Sequence, residues 1–285
     1  MNYKEIIWLA SYPKSGNTWV RAFLDAYFMG GVDINALLSS ITDDQAMVHQ
    51  IGDGSDVMDL PAEIQMLTRN MALLRVVRRY NDIEKPIPLF VKTHFANMFI
   101  NGQELVPELF TKATIFIVRD PRDVLPSFSK HMGVDLDMGL TWMQEKYRML
   151  NSKNASTVAN FLSSWDRHTK SWLNTQSHNL LLVQYEDMKR DPVTVFGKIL
   201  KHSGIEPDMA RVAAAVELVE LDKLRAQEKE HGFGESSPHA KNEFFGKGQV
   251  GGWRDKLTQQ QVYRIEKAFG SVMKRLGYLE KRRAA

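Results

Sequence analysis

The sequence predicts an α/β fold organised on a parallel sheet, and three features predict it. Glu5 to Ser11 is a short apolar run that ends at Tyr12-Pro13, crosses a polar turn and enters a helical pattern from Thr18 to Met29. Ala113 to Val118 is a second continuous apolar run, the kind that is buried on both faces of a parallel sheet. Helical and strand-like segments then alternate through a chain of 285 residues, enough to bury a sizeable core as one domain.

The elements follow in order. Trp19, Phe23, Ala26 and Tyr27 give the first helix its apolar face, and Gly30-Gly31 breaks it. Pro61 to Tyr80 is expected as a helix, with proline in its first turn and Arg75, Arg78 and Arg79 near its end, where they suit the dipole. Leu89 to Lys92 and Leu180 to Val183 are expected as short buried strands. Asp120-Pro121 opens a helix toward Met132. Thr157 to Asn174 is expected as one long amphipathic helix carrying Phe161, Leu162, Trp165 and Trp172. Pro192 to His202, Asp208 to Leu221 and Thr258 to Leu276 are expected as helices, and Asp222 to Asp255 as a long loop. There is no internal repeat or linker, so residues 1–285 are expected to form a single domain.

Composition narrows the function classes. Net charge is +3, from 37 basic and 34 acidic residues, which is too balanced for nonspecific nucleic-acid binding, so any anion site is built locally. Cysteine is absent, which excludes disulfides, thiolate metal sites and a cysteine nucleophile. The apolar run Ile6 to Ala10 is too short for a signal peptide, and no run approaches a membrane span; a cytoplasmic protein is the expectation.

Four motifs carry chemistry. Ser11-Tyr12-Pro13-Lys14-Ser15-Gly16-Asn17-Thr18-Trp19 lies between strand and helix, where backbone N–H groups at a helix N-terminus attract anions. Gly16 permits close approach of a phosphate, Lys14 adds a charge, and Ser15 and Thr18 add hydroxyls. The Gly-x₄-Gly-Lys-Ser/Thr pattern is missing; the competing reading is a plain capped helix start. Lys92-Thr93-His94 ends a strand, where open α/β sheets place their sites, and residues two apart on a strand share a side. Arg119 leaves a strand and Ser127 follows two helical turns later; arginine suits bidentate phosphate contact, although Arg119 and Arg122 beside Asp neighbours also fit surface ion pairs. Gly246-Lys247-Gly248 followed by Gly251-Gly252-Trp253 is a flexible loop that can fold over an anion.

Together these motifs resemble the sulfotransferase family that uses 3′-phosphoadenosine 5′-phosphosulfate (PAPS) and releases 3′-phosphoadenosine 5′-phosphate (PAP). Tyr12 to Trp19 looks like that family's 5′-phosphosulfate loop, and Arg119 with Ser127 looks like its 3′-phosphate site. Lys92-Thr93-His94 matches its Lys-Thr-His element. Tyr185-Glu186-Asp187-Met188 resembles the segment whose tyrosine lies near adenine. Lys247-Gly248 with Gly252-Trp253 resembles the loop that closes on the 3′-phosphate. The likeness runs from residue 6 to about residue 258. Gly246 stands where the family usually has Arg, Asn17 replaces a common Thr, and Leu224 falls where animal cytosolic members stack a Phe. A dimer motif of those members is only partly echoed by Arg254, Thr258, Gln259 and Tyr263, which leaves the oligomeric state open.

The resemblance implies a P-loop-like three-layer fold with a central parallel sheet flanked by helices, PAPS as donor and no metal. It implies His94 as general base, Lys14 at the leaving phosphate oxygen, Lys92 at the sulfuryl oxygens, and Ser127 bridging the 3′-phosphate site and Lys14. Lys14, Ser15, Gly16, Asn17, Thr18, Trp19, Arg119, Ser127, Tyr185, Lys247 and Gly248 are implied to hold the nucleotide. The acceptor, a small molecule, lipid or carbohydrate bearing a hydroxyl or amine, is not readable. A small-molecule kinase and a non-catalytic nucleotide-binding regulator are the rival readings. Residues 31–60 and 231–248 are the expected covers of the acceptor, with Phe233, Phe244 and Phe245 either walling a pocket or packing on the core.

Overall fold

Alternate residues of the first strand feed two separate cores, and this fixes the architecture. In a computed structural model that describes residues 3–37, 42–43, 62–83, 87–150, 160–235 and 244–279, β1 (Ile6–Ser11) is buried along its whole length. Ile6, Trp8 and Ala10 point into one apolar cluster, Ile7 and Leu9 into another. The period-2 alternation of a strand buried on both faces demands helices above and below.

The main sheet is parallel throughout. β1 pairs with β3 (Leu89–Thr93) and β6 (Thr111–Val118), β6 pairs with β9 (Leu180–Gln184), and β2 (Thr42–Asp43) extends the β3 edge, giving the five-strand order β2-β3-β1-β6-β9. Outside it, β4 (Phe99–Ile100) and β5 (Gln103–Glu104) form a small antiparallel pair. On one face of the sheet pack α1 (Asn17–Met29), α7 (Pro192–His202) and α8 (Met209–Leu218), through Val20, Phe23, Leu24, Phe196, Ile199 and Val212. On the other pack α2 (Ala62–Asn81), α3 (Pro121–Met132), α5 (Trp165–Leu173) and α10 (Gln259–Arg275), through Leu73, Val77, Phe128, Trp165, Trp172, Ile265 and Phe269. A short helix, α6 (Tyr185–Arg190), follows directly on β9. This is the expected three-layer fold.

Local chemistry sets the element ends. Gly30 caps α1 in the left-handed region at φ 76°, donating its N–H to the Ala26 carbonyl. Asp120 caps α3 and accepts from the Arg122 N–H, with Pro121 in the first turn. Thr258 and Gln261 form a reciprocal capping box on α10.

Three expectations are corrected and one helix is added. The helix expected over 157–174 begins only at Trp165; Asn160–Phe161 instead forms β8, antiparallel to β7 (Met149–Leu150). Ser163 at φ 62° turns the chain between β8 and α5, so Phe161 and Leu162 reach the core from a strand and a turn. The loop expected over 222–255 contains α9 (Leu221–His231), and α8 ends at Leu218. α9 is polar and buries Leu224 and Glu228, so it lacks an apolar periodicity. The β9 strand is not fully buried: Val183 is, whereas Leu182 is exposed, because β9 is the sheet edge. A short helix, α4 (Leu136–Gln144), lies after α3 where none was expected. Of the two expected covers, 38–41, 44–60 and 236–243 lie outside the described residues. No described helix is long and apolar enough to cross a membrane.

Candidate active site

Each of the four long strands ends in a motif. β1 runs into the Lys14 loop, β3 into His94, β6 into Arg119 and β9 into Tyr185. Parallel strands deliver all four to the same edge, the carboxyl edge where open α/β sheets bind ligands. A cavity of about 1570 Å³ lies there, lined by Lys14, Gly16, Asn17, Thr18, Trp19, Lys92, His94, Arg119, Ser127, Tyr185, Lys247 and Gly248. Ser15 is the exception among the expected site residues: its side chain is fully buried and does not line the cavity.

The loop before α1 is shaped for close approach. Lys14 has φ 67° and Gly16 φ 109°. A Cβ on Gly16 would stand 2.8 Å from the Tyr185 ring, so only glycine fits. Asn17 donates to the Leu9 carbonyl at 2.8 Å and to Ser11 Oγ at 3.3 Å, tying the helix start to β1. Trp19 meets Tyr185 edge-on at 6.0 Å, with Lys189 above its ring.

His94 is oriented by the end of β1. Its Nδ1 lies 2.7 Å from the Ser11 carbonyl and 3.2 Å from Ser11 Oγ. A carbonyl only accepts, so Nδ1 carries the proton, and in the neutral ring Nε2 is the basic nitrogen. Burial, with Glu235 opposing and Lys130 and Lys92 assisting, pushes the Lys14 ammonium down to about 7. That ammonium sits 3.2 Å from the centre of the Phe244 ring.

The glycine loop is clasped from below. Arg119 stacks its guanidinium 4.3 Å above the Tyr185 ring and donates to the Gln249 carbonyl at 2.9 Å. Tyr185 donates its hydroxyl to the Gly248 carbonyl at 2.9 Å. Asp123 accepts from the N–H groups of Gly251 at 2.7 Å and Trp253 at 2.9 Å. Arg122, paired with Asp120 and Glu266, lies 4.3 Å from the Trp253 ring. Gly248, at φ 57°, has room for no side chain: a Cβ would meet Leu221 at 2.7 Å. A Cβ at Gly246 would meet nothing within 4 Å.

Three contributors have no signal in the sequence motifs. Glu235 bonds Arg21 at 2.6 Å and Lys92 at 3.3 Å. His131, from the last turn of α3, lines the same cavity; burial and the nearby charges of Lys14, His94 and Lys92 push it down to about 4, so it is neutral. Glu228, from α9, accepts from the N–H groups of both Phe244 and Phe245. Of the three expected phenylalanines, Phe233 and Phe245 are buried in the core, and Phe244 and Phe245 line the cavity. Leu224 also lines the cavity. The described residues contain no group of three or more His, Cys, Asp or Glu side chains arranged to hold a metal.

Fold and site together define a nucleotide-cleft transferase of the P-loop-like class. The family profile described as the sulfotransferase domain matches residues 4–277, and the chain belongs to that family of sulfuryl-transferring enzymes. Among curated relatives, human sulfotransferase 1C2 is 23% identical, covering 93% of this chain and 82% of its own. The rabbit (Oryctolagus cuniculus) amine sulfotransferase is 24% identical, covering 94% and 80%. Among solved structures, retinol dehydratase in complex with retinol and PAP superimposes with a TM-score of 0.62 at 19% identity, over 95% of this chain and 81% of its own. A mouse sulfotransferase complexed with PAP gives 0.58 at 20% identity, over 94% and 84%.

Proposed function

We propose that this protein transfers the sulfuryl group of PAPS to an acceptor hydroxyl or amine, with His94 as general base. The observation that carries the reading is the cavity at the carboxyl edge of the sheet, in which Lys14, Lys92 and His94 face the Arg119–Tyr185–Gly248 clasp. The residues fit the nucleotide. Arg119 Nε is buried with no partner among the described residues, a donor suited to a phosphate oxygen. Gly16 and Gly248 let the two loops pack closely on Tyr185, whose ring and hydroxyl a Cβ at either position would strike.

The chemistry is in-line displacement, in which positioning and charge stabilisation do most of the work. His94 Nε2 takes the proton of the acceptor hydroxyl as that oxygen bonds to sulfur. The bond between sulfur and the 5′-phosphate oxygen breaks, and its electron pair leaves on that oxygen. Lys14 neutralises the leaving oxygen, and Lys92 faces the sulfuryl oxygens. Arg119, Ser127 and Lys247 hold the 3′-phosphate, with Thr18, Asn17 and the loop N–H groups on the 5′-phosphate and Trp19 and Tyr185 at the base. Ser15 is buried, and its hydroxyl has no partner among the described residues. No metal is assigned a role.

The test of donor identity is calorimetry with PAP, AMP and ATP. Tight PAP binding without magnesium is expected; a preference for ATP with magnesium would restore the kinase reading.

A further inference from the structure

Unpaired polar atoms gather behind one end of the cavity. Tyr12 Oη, Arg148 Nε, Asn160 Nδ2 and Oδ1, Trp165 Nε1 and His168 Nε2 are all buried with no partner among the described residues. They belong to one packed region. Tyr12 meets His168 edge-on at 5.4 Å, and His168 Nδ1 lies 3.1 Å from the Leu162 carbonyl. The Leu162 N–H in turn donates to the Arg148 carbonyl at 2.9 Å. Asn160 stands opposite Leu150 in the β7–β8 ladder.

This end is the acceptor side. The Phe161 carbonyl accepts from the Ala96 N–H at 3.0 Å, which joins β8 to the turn that carries His94. Asn160, Arg148, Met149, Leu150 and Trp142 line the same cavity. Asn160 has an exposure of 0% and both amide atoms unsatisfied. Each such atom is costly to bury, so a protein that keeps the residue gains something else by it. Among the described residues no hydrogen bond holds the amide in its present rotamer, and Asn160 is one of the residues that line the cavity.

The group it takes is uncharged. Burial raises the Tyr12 phenol far above its ordinary range and pushes His168 down to about 3, so both are neutral. Arg148 is engaged, paired with Glu145 at 3.2 Å and stacked 3.9 Å from Trp142. A cation brought here would be desolvated without a counterpart, and an anion would meet only Arg148, whose charge Glu145 already offsets.

We infer that Asn160 recognises a second, uncharged hydrogen-bonding group of the acceptor, so that the preferred acceptors carry a hydroxyl or carbonyl besides the group that is sulfated. The inference rests on the sulfuryl-transfer reading and names the acceptor class for the same site. Met149, Leu150 and Trp142 make the rest of that wall apolar, which fits an amphipathic small molecule.

The experiment compares wild type with Asn160→Leu, a near-isosteric change without polar atoms. Matched pairs of aryl and alkyl alcohols, with and without a second hydroxyl or carbonyl, are assayed with PAPS, and thermal midpoints are measured in parallel. Wild type is expected to favour the substituted member by about ten- to a hundredfold in kcat/KM. In Asn160→Leu that preference falls to near unity, while the midpoint holds or rises because unsatisfied atoms have gone. A preference that survives the substitution overturns the inference, as does a lowered midpoint, which would show that the amide is bound into the fold. A wild type that binds PAP yet sulfates no member of any pair counts against the transferase reading itself, and the thermal arm still judges Asn160.

Discussion

Glu235 holds Lys92: a carboxylate oxygen lies 3.3 Å from the lysine ammonium, while the other oxygen meets Arg21 at 2.6 Å. If Lys92 serves the sulfuryl oxygens, this carboxylate competes with the donor for the same cation. Glu235→Gln removes the competing charge and should tighten PAPS by about tenfold, on the scale of one charge-assisted hydrogen bond, and tighten PAP less. Calorimetry without acceptor checks it. Equal or weaker PAPS binding would place Glu235 among the residues that hold the site together.

His94→Ala should lower turnover by about 10²–10⁴ while leaving PAP affinity nearly unchanged, as expected of a general base that meets only the acceptor. Steady-state kinetics beside PAP titration separates the two. Activity within about a factor of two of wild type would make His94 a bystander.

If Lys14 meets the donor's phosphate, it couples donor binding to a proton. Its pKa in the empty cleft lies at about 7, set by burial, with Glu235 and Glu228 raising it and Lys130 and Lys92 lowering it. A bound phosphate raises it further. Below that pKa the lysine is already charged and binding takes up no proton there. Above it, binding must recharge the lysine, so affinity falls as pH rises and uptake approaches about one proton. Calorimetry of PAP at about pH 8, one unit above the lysine's pKa, in buffers of different ionisation enthalpy reads this. Lys14→Met should abolish the uptake.

Asp123→Ala releases the Gly251 and Trp253 N–H groups from the clasp. A loss of about 1.5–3 kcal/mol of stability is expected, with weakened PAP binding. Arg119→Ala should weaken PAP about tenfold or more, and more than AMP, which lacks the 3′-phosphate. Equal losses for PAP and AMP would mean that Arg119 serves the loop alone.

The sheet is legible in the sequence because β1 and the Ile115–Val118 end of β6 are apolar runs, which suit burial on both faces. The Lys14, His94 and Arg119 motifs are legible because each follows directly on a strand end, whereas the glycine loop at 246–253 follows no strand and is legible by its glycines alone. β8 escapes the pattern because Phe161, Leu162 and Trp165 keep helical spacing, and only the backbone turn at Ser163 breaks it. α9 is hidden because it buries little more than Leu224 and Glu228. Glu235 is invisible for another reason: it meets Arg21 across 214 residues of sequence, and a single charge in a loop carries no periodicity.

The central claim is tested most directly by transfer itself. Purified protein is incubated with PAPS and the panel of alcohols in the presence of a chelator, and products are read by mass spectrometry for a sulfuryl gain matched by PAP release. The account predicts sulfated product in stoichiometric balance with PAP, with no requirement for metal. PAPS left unconsumed across the panel, together with phosphorylated product from ATP and magnesium, would contradict it.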